Sequence, residues 1–62
     1  MKVNGNTIQI VKAQMGGSPR NFGWVVLLNN MRIHTVMKPR AEAARFVRNL
    51  AECLRNIDWR PR

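Results

Sequence analysis

The segment spanning residues 22–37, FGWVVLLNNMRIHTVM, constrains the fold more than any other part of this chain. Apolar residues alternate on both sides of Asn29-Asn30. Asparagine tolerates the positive φ that a two-residue hairpin turn requires. A β-hairpin centred there sets Leu28 opposite Met31, Val26 opposite Ile33, Trp24 opposite Thr35 and Phe22 opposite Met37. These side chains share one face. The other face carries Val25, Leu27, Arg32, His34 and Val36. A slip of one residue would exchange the two faces, so register decides which side chains are core.

Residues 7–14, TIQIVKAQ, alternate with the period of a strand. Asn4-Gly5 before them is a turn signal that would start a small hairpin from Lys2-Val3 or end a frayed terminus. Lys12 falls on the core side in strict alternation. That conflict predicts a strand end or a bulge near Val11. Residues 16–21, GGSPRN, form a flexible connector to the second strand. The pattern therefore predicts strands over 7–14, 22–29 and 31–37.

Lys38-Pro39 predicts a helix start, because proline at the first helical position loses no hydrogen bond. Apolar residues at Ala43, Phe46, Val47, Leu50, Leu54 and Ile57 form one stripe of a helix over 39–57. A strand of eight residues spans about 26 Å, and a helix of eighteen about 27 Å. One helix therefore matches one face of the sheet in length. The expected fold is α+β, a three-stranded antiparallel sheet covered on one face by a C-terminal helix. This β-β-β-α order makes two layers in one domain, residues 1–62, with a basic end at 58–62. The second sheet face is left uncovered.

Sixty-two residues bury a limited fraction of their surface, and the 45% of hydrophobic residues must supply the core. Eleven Lys and Arg against three Asp and Glu give a formal charge of +8. That excess points to a polyanionic partner, with a solvated, charge-solubilised surface as the plain alternative. One cysteine cannot close an internal disulfide, which suits a reducing cytoplasm. The longest purely apolar run, Trp24 to Leu28, is too short to span a bilayer. A soluble cytoplasmic protein without a membrane partner is the expectation.

Enzymatic chemistry lacks an inventory. His34 and Cys53 are the sole histidine and cysteine, and the predicted fold puts them on opposite sides of the sheet. Glu42, Glu52 and Asp58 are too few and too scattered for an acid–base pair. Glu42 and Glu52 lie three or four residues from Arg45, Arg48 and Arg55, which predicts helix-surface ion pairs. A zinc site would need four Cys or His ligands. No enzyme activity, metal or cofactor is expected.

Binding residues are the sharper candidates. Arg32 and His34 alternate on the third strand, with Thr7 and Gln9 on the same face of the first. Strands can enter a major groove and read base edges. Arg20, Lys38, Arg40, Arg48, Arg60 and Arg62 could hold phosphates around such a face. Trp59 would either stack on a base or fold back over the end of the core. Val11, Val25, Leu27 and Val36 also share the uncovered face. A face this apolar is either a homodimer surface or one that touches sugars, methyls and bases.

The run from Gly23 to Leu50 resembles the three-stranded-sheet DNA-binding domains at the N-terminus of tyrosine integrases. The matching residues are Trp24 and Val25 in one strand, Arg32 in the next, and the Glu42-Ala43 helix opening. The chain departs from that pattern in having Lys38-Pro39 where a Thr or Ser usually caps the helix. The resemblance implies insertion of the sheet face into a major groove, with Arg32 and His34 at the bases. Strands followed by one long helix are also similar to dimeric single-stranded DNA binders of the transcriptional coactivator type, a likeness of fold alone.

These observations lead to an expected function. The chain reads as a small basic nucleic-acid-binding protein, with DNA favoured over RNA. It would be an accessory or regulatory factor of phage or mobile-element type. The alternative is an interaction module or inhibitor that docks an acidic surface of a host protein, with a homodimer as a further option.

Overall fold

The computed structural model describes residues 1–61, and Arg62 lies outside the described residues. Four antiparallel strands form one sheet in the order β1-β2-β3-β4. They are β1 (Lys2–Val3), β2 (Asn6–Gln14), β3 (Phe22–Leu28) and β4 (Met31–Arg32). One helix, α1 (Arg40–Asn56), packs on a single face of this sheet. The α+β architecture matches the sequence expectation. The strand count does not, because Lys2-Val3 pairs with Asn6 and Thr7 and adds a fourth strand.

Two asparagine turns fold the sheet. Asn29 and Asn30 have φ of 51° and 68°, and Asn4 and Gly5 have 53° and 83°. Positive φ at both central residues is what a primed hairpin turn needs, and its twist matches that of the flanking strands. The β2–β3 ladder runs without interruption from Ile8 opposite Leu28 to Gln14 opposite Phe22. The bulge expected near Val11 is therefore absent. Lys12 does lie on the helix side, opposite Trp24. The helix starts only at Arg40, so this position escapes burial. The Lys12 ammonium rests over the Phe22 ring, 4.0 Å from its centre.

The third predicted strand ends early. Leu28 pairs with Met31 and Leu27 with Arg32 as expected, but Trp24 then bridges to Met37 rather than Thr35. Two extra residues thus occupy the 33–36 stretch, and the expected Phe22–Met37 pairing is lost. The side-chain Nε of Arg32 donates to the carbonyl of His34 at 3.0 Å, a local bond that fits a departure from the ladder. Ile33, expected in the core, is consequently exposed.

The core lies between Val3, Ile8 and Val26 of the sheet and Ala43, Val47, Ala51 and Leu54 of the helix. Ala43 and Ala51 are almost fully buried. Alanine there lets the helix backbone sit close to the sheet, while Phe46 and Leu50 flank the contact half-buried. Pro39 is the N-cap in extended conformation rather than the first helical residue, and Ile57 is an exposed C-cap rather than part of the stripe.

One buried polar group ties the helix end to the sheet. Asn6 is fully buried. Its Nδ2 donates to the carbonyls of Val3 (3.0 Å) and Trp59 (3.1 Å). Its Oδ1 accepts from Asn29 Nδ2 at 3.0 Å. The Leu54 carbonyl in the last helical turn accepts from both the Trp59 N–H at 3.0 Å and Asn4 Nδ2 at 3.1 Å. At the other end the β2–β3 hairpin runs past the helix as an arm, and the molecule is 41 Å long but only 15 Å thick.

Candidate nucleic-acid interface

Strand parity distributes the candidate side chains between two faces. Gln9, Leu27 and Arg32 stand in one row across β2, β3 and β4. They lie on the face that the helix leaves uncovered, with Val11, Ala13 and Val25 in the neighbouring rows. Gln9 and Arg32 are exposed, and Val25 is buried. Part of the cover there comes from Val36, which lies against Gly23 so closely that a Cβ at that position would collide with it.

His34 is not on this face with Arg32. Its ring lies 4.7 Å from that of Phe46, a side chain of the helix. The two extra residues in the 33–36 stretch release His34 from the strict alternation that would have kept it beside Arg32. Its Nδ1 sits 3.3 Å from the Thr35 carbonyl. Cys53 is exposed on the helix.

The arm gathers a second set of groups. Phe22 and Trp24 pack edge to face with ring centres 6.1 Å apart, a favoured aromatic geometry. Lys12 covers the first ring, and the Arg40 guanidinium lies 5.5 Å from the centre of the second. Lys38 Nζ donates to Asn21 Oδ1 at 2.9 Å. Arg20 is exposed in the loop at the arm's tip. Four cations therefore gather at the arm, Lys12 and Arg20 on the hairpin itself, Lys38 just before the helix and Arg40 at its first position.

No carboxylate accompanies them. All three acids, Glu42, Glu52 and Asp58, lie on the helix or just after it. Glu42 pairs with Arg45 at 3.3 Å, and Asp58 pairs with Arg60 at 3.2 Å. Both pairs are exposed, so each contributes little to stability. Among the described residues, every other lysine and arginine lacks a carboxylate within 4.0 Å. Arg48 faces outward on the helix, and Arg60 sits at the end of the molecule opposite the arm.

Sequence reasoning missed the Lys12–Phe22–Trp24–Arg40 group. Two signals pointed to it. Lysine at an apolar position of a regular strand marks a site where cover is missing. The complete lack of Asp and Glu over residues 1–41 marks the whole sheet as cationic. No family model, curated protein or solved structure matches this chain. Among the described residues, no helix is long and apolar enough to cross a membrane.

Proposed function

We propose that this protein binds nucleic acid, with duplex DNA favoured, through the acid-free sheet and its arm. The carrying observation is the segregation of charge. The sheet, its arm and the segment up to the first helical residue bear Lys12, Arg20, Arg32, Lys38 and Arg40 without a carboxylate, while every acid lies farther along the helix or after it. A two-stranded ribbon fits the major groove of B-form DNA, whereas the major groove of A-form RNA is too narrow for side-chain reading. With the uncovered face toward the bases, Gln9 and Arg32 supply amide and guanidinium donors. Leu27 between them and Val11 in the next row supply apolar contact for thymine methyls. The expected resemblance to integrase sheet domains fits this orientation for Arg32, but His34 stands apart from it.

Salt titration tests the proposal. If the other four cations, Lys12, Arg20, Lys38 and Arg40, meet duplex phosphates, log affinity falls with log salt at a slope of about −3.6. Binding that is flat with salt, or undetectable at about 50 mM salt, overturns it. A small regulatory or accessory role, as expected of phage or mobile-element factors, is part of the same proposal.

The apolar part of the uncovered face favours a second reading, an interaction module or a homodimer. Val11, Leu27 and Val36 are half-buried, with Leu27 paired to Arg32. Capture of a stoichiometric protein partner that survives nuclease treatment supports the module. A change from dimer to monomer by light scattering on Leu27→Glu supports the homodimer.

A further inference from the structure

The outer edge of β2 is open beyond its first half. In an antiparallel ladder, alternate residues point their N–H and C=O groups to opposite neighbours. Ile8 faces outward, where its N–H donates to the Met1 carbonyl at 2.8 Å and its carbonyl accepts from the Met1 amino group at 3.0 Å. Thr7 faces β3, since its carbonyl accepts from the Asn29 N–H at 2.8 Å. Met15 does the same, its N–H donating to the Asn21 carbonyl. Parity therefore turns the backbones of Ile10 and Lys12 outward. β1 has ended by then, and among the described residues nothing pairs with them.

A groove of about 380 Å³ runs beside this edge. Ile8, Ile10 and Val47 give it apolar lining, Met1 closes one end, and Arg40 stands at its margin. Exposed edges are ordinarily guarded, often by lysine. The guard here is withdrawn, because the Lys12 ammonium is held over Phe22 and leaves the backbone groups clear.

We propose that this edge takes an extended acidic peptide as an additional strand. A strand added there places one side chain opposite Ile10, on the helix side and over the groove. The side chain two residues away falls opposite Lys12, near Arg40. The recognised pattern is thus an apolar residue with a carboxylate two positions along. Main-chain bonds supply affinity and the alternate side chains supply selectivity, the usual division in strand addition. Charge decides between occupants. A second copy would bring another +8 and set cationic edge against cationic edge. An acidic segment meets Lys12 and Arg40, neither of which has a carboxylate partner. This edge is separate from the uncovered face but shares Lys12 and Arg40 with the proposed phosphate contacts, so the readout that tells the two apart is amide exchange at Ile10 and Lys12, which duplex binding through the uncovered face leaves unchanged.

A short blocked threonine peptide, with one leucine and a glutamate two residues on, is the probe. Its addition should slow amide exchange specifically at Ile10 and Lys12. Lys12→Pro removes an outward N–H without touching the β2–β3 ladder, a substitution tolerated at edges. Affinity should fall roughly thirtyfold, about tenfold from the lost hydrogen bond and about threefold from the lost ammonium. Lys12→Ala, which keeps the N–H, should lose only roughly threefold. Should Lys12→Pro fail to fold, Arg40→Glu replaces it and should shift preference to a peptide carrying lysine in place of glutamate. Unchanged exchange at Ile10 and Lys12, or equal binding by the proline variant, overturns the proposal. So does protection of those amides in the absence of peptide together with a dimer by light scattering, because a second copy would then hold the edge.

Discussion

The two ends of the molecule are built on opposite principles. At the helix C-terminus, Asn6 uses both amide hydrogens and its carbonyl to join β1, Trp59 after the helix and the β3–β4 turn. Every buried polar side-chain atom among the described residues has a partner. At the arm, the helix has not yet begun, the strands lack cover, and cations rest on half-buried aromatic rings. A chain this small cannot spread a core over 41 Å of length. It concentrates packing at one end, and the other end is left to carry contact groups.

The comparison breaks most sharply at Asn6. Asn6→Asp replaces two donors by acceptors aimed at the Val3 and Trp59 carbonyls and buries a charge. A loss of about 3 kcal/mol is expected. Urea unfolding that shows less than a third of this would mean the polar tie matters little. Leu54→Ala, at the same end, should cost about 2–5 kcal/mol through the cavity it leaves.

Gly23 tests where the arm joins the core. A Cβ there would strike Val36 and approach the Met37 carbonyl to 3.0 Å. Gly23→Ala should therefore cost about 1–3 kcal/mol by overpacking, readable as a lowered melting temperature. An unchanged melting temperature would show that the segment after β4 yields freely.

The smallest stability effect should fall on the arm itself. Lys12→Ala and Arg20→Ala are expected within about 0.5 kcal/mol of the parent, as exposed substitutions usually are. In a duplex-binding assay each should instead reduce the magnitude of the salt slope by about 0.9. Variants that unfold the protein but leave the slope intact would reverse the assignment of the two ends.

Much of this division was readable along the chain. The Asn29-Asn30 turn and the helix stripe of Ala43, Val47 and Leu54 follow from local periodicity and turn chemistry, whereas the unbroken β2–β3 ladder does not, since Lys12 at an apolar position argued for a bulge near Val11. The placement of Arg32 on the uncovered face follows from the same turn. His34 and Ile33 were misplaced because strict alternation was carried two residues too far. Nothing local in IHTV announces that the chain will leave the ladder after the Ile33 N–H has met the Val26 carbonyl.

Lys12 shows the boundary most clearly. The sequence by itself determined that Lys12 shares a face with Ile8 and Ile10, since side-chain period in a strand admits no other outcome without a bulge. Whether that position is core or surface depended on where the helix begins along the sheet. That is a long-range fact, set by the packing of Ala43 and Val47 against Ile8 and Val26. Strand periodicity and turn propensity are properties of neighbouring residues, so they are legible in order. Cover, an open edge and a shared buried amide arise from residues distant in the chain, and only tertiary packing brings them together.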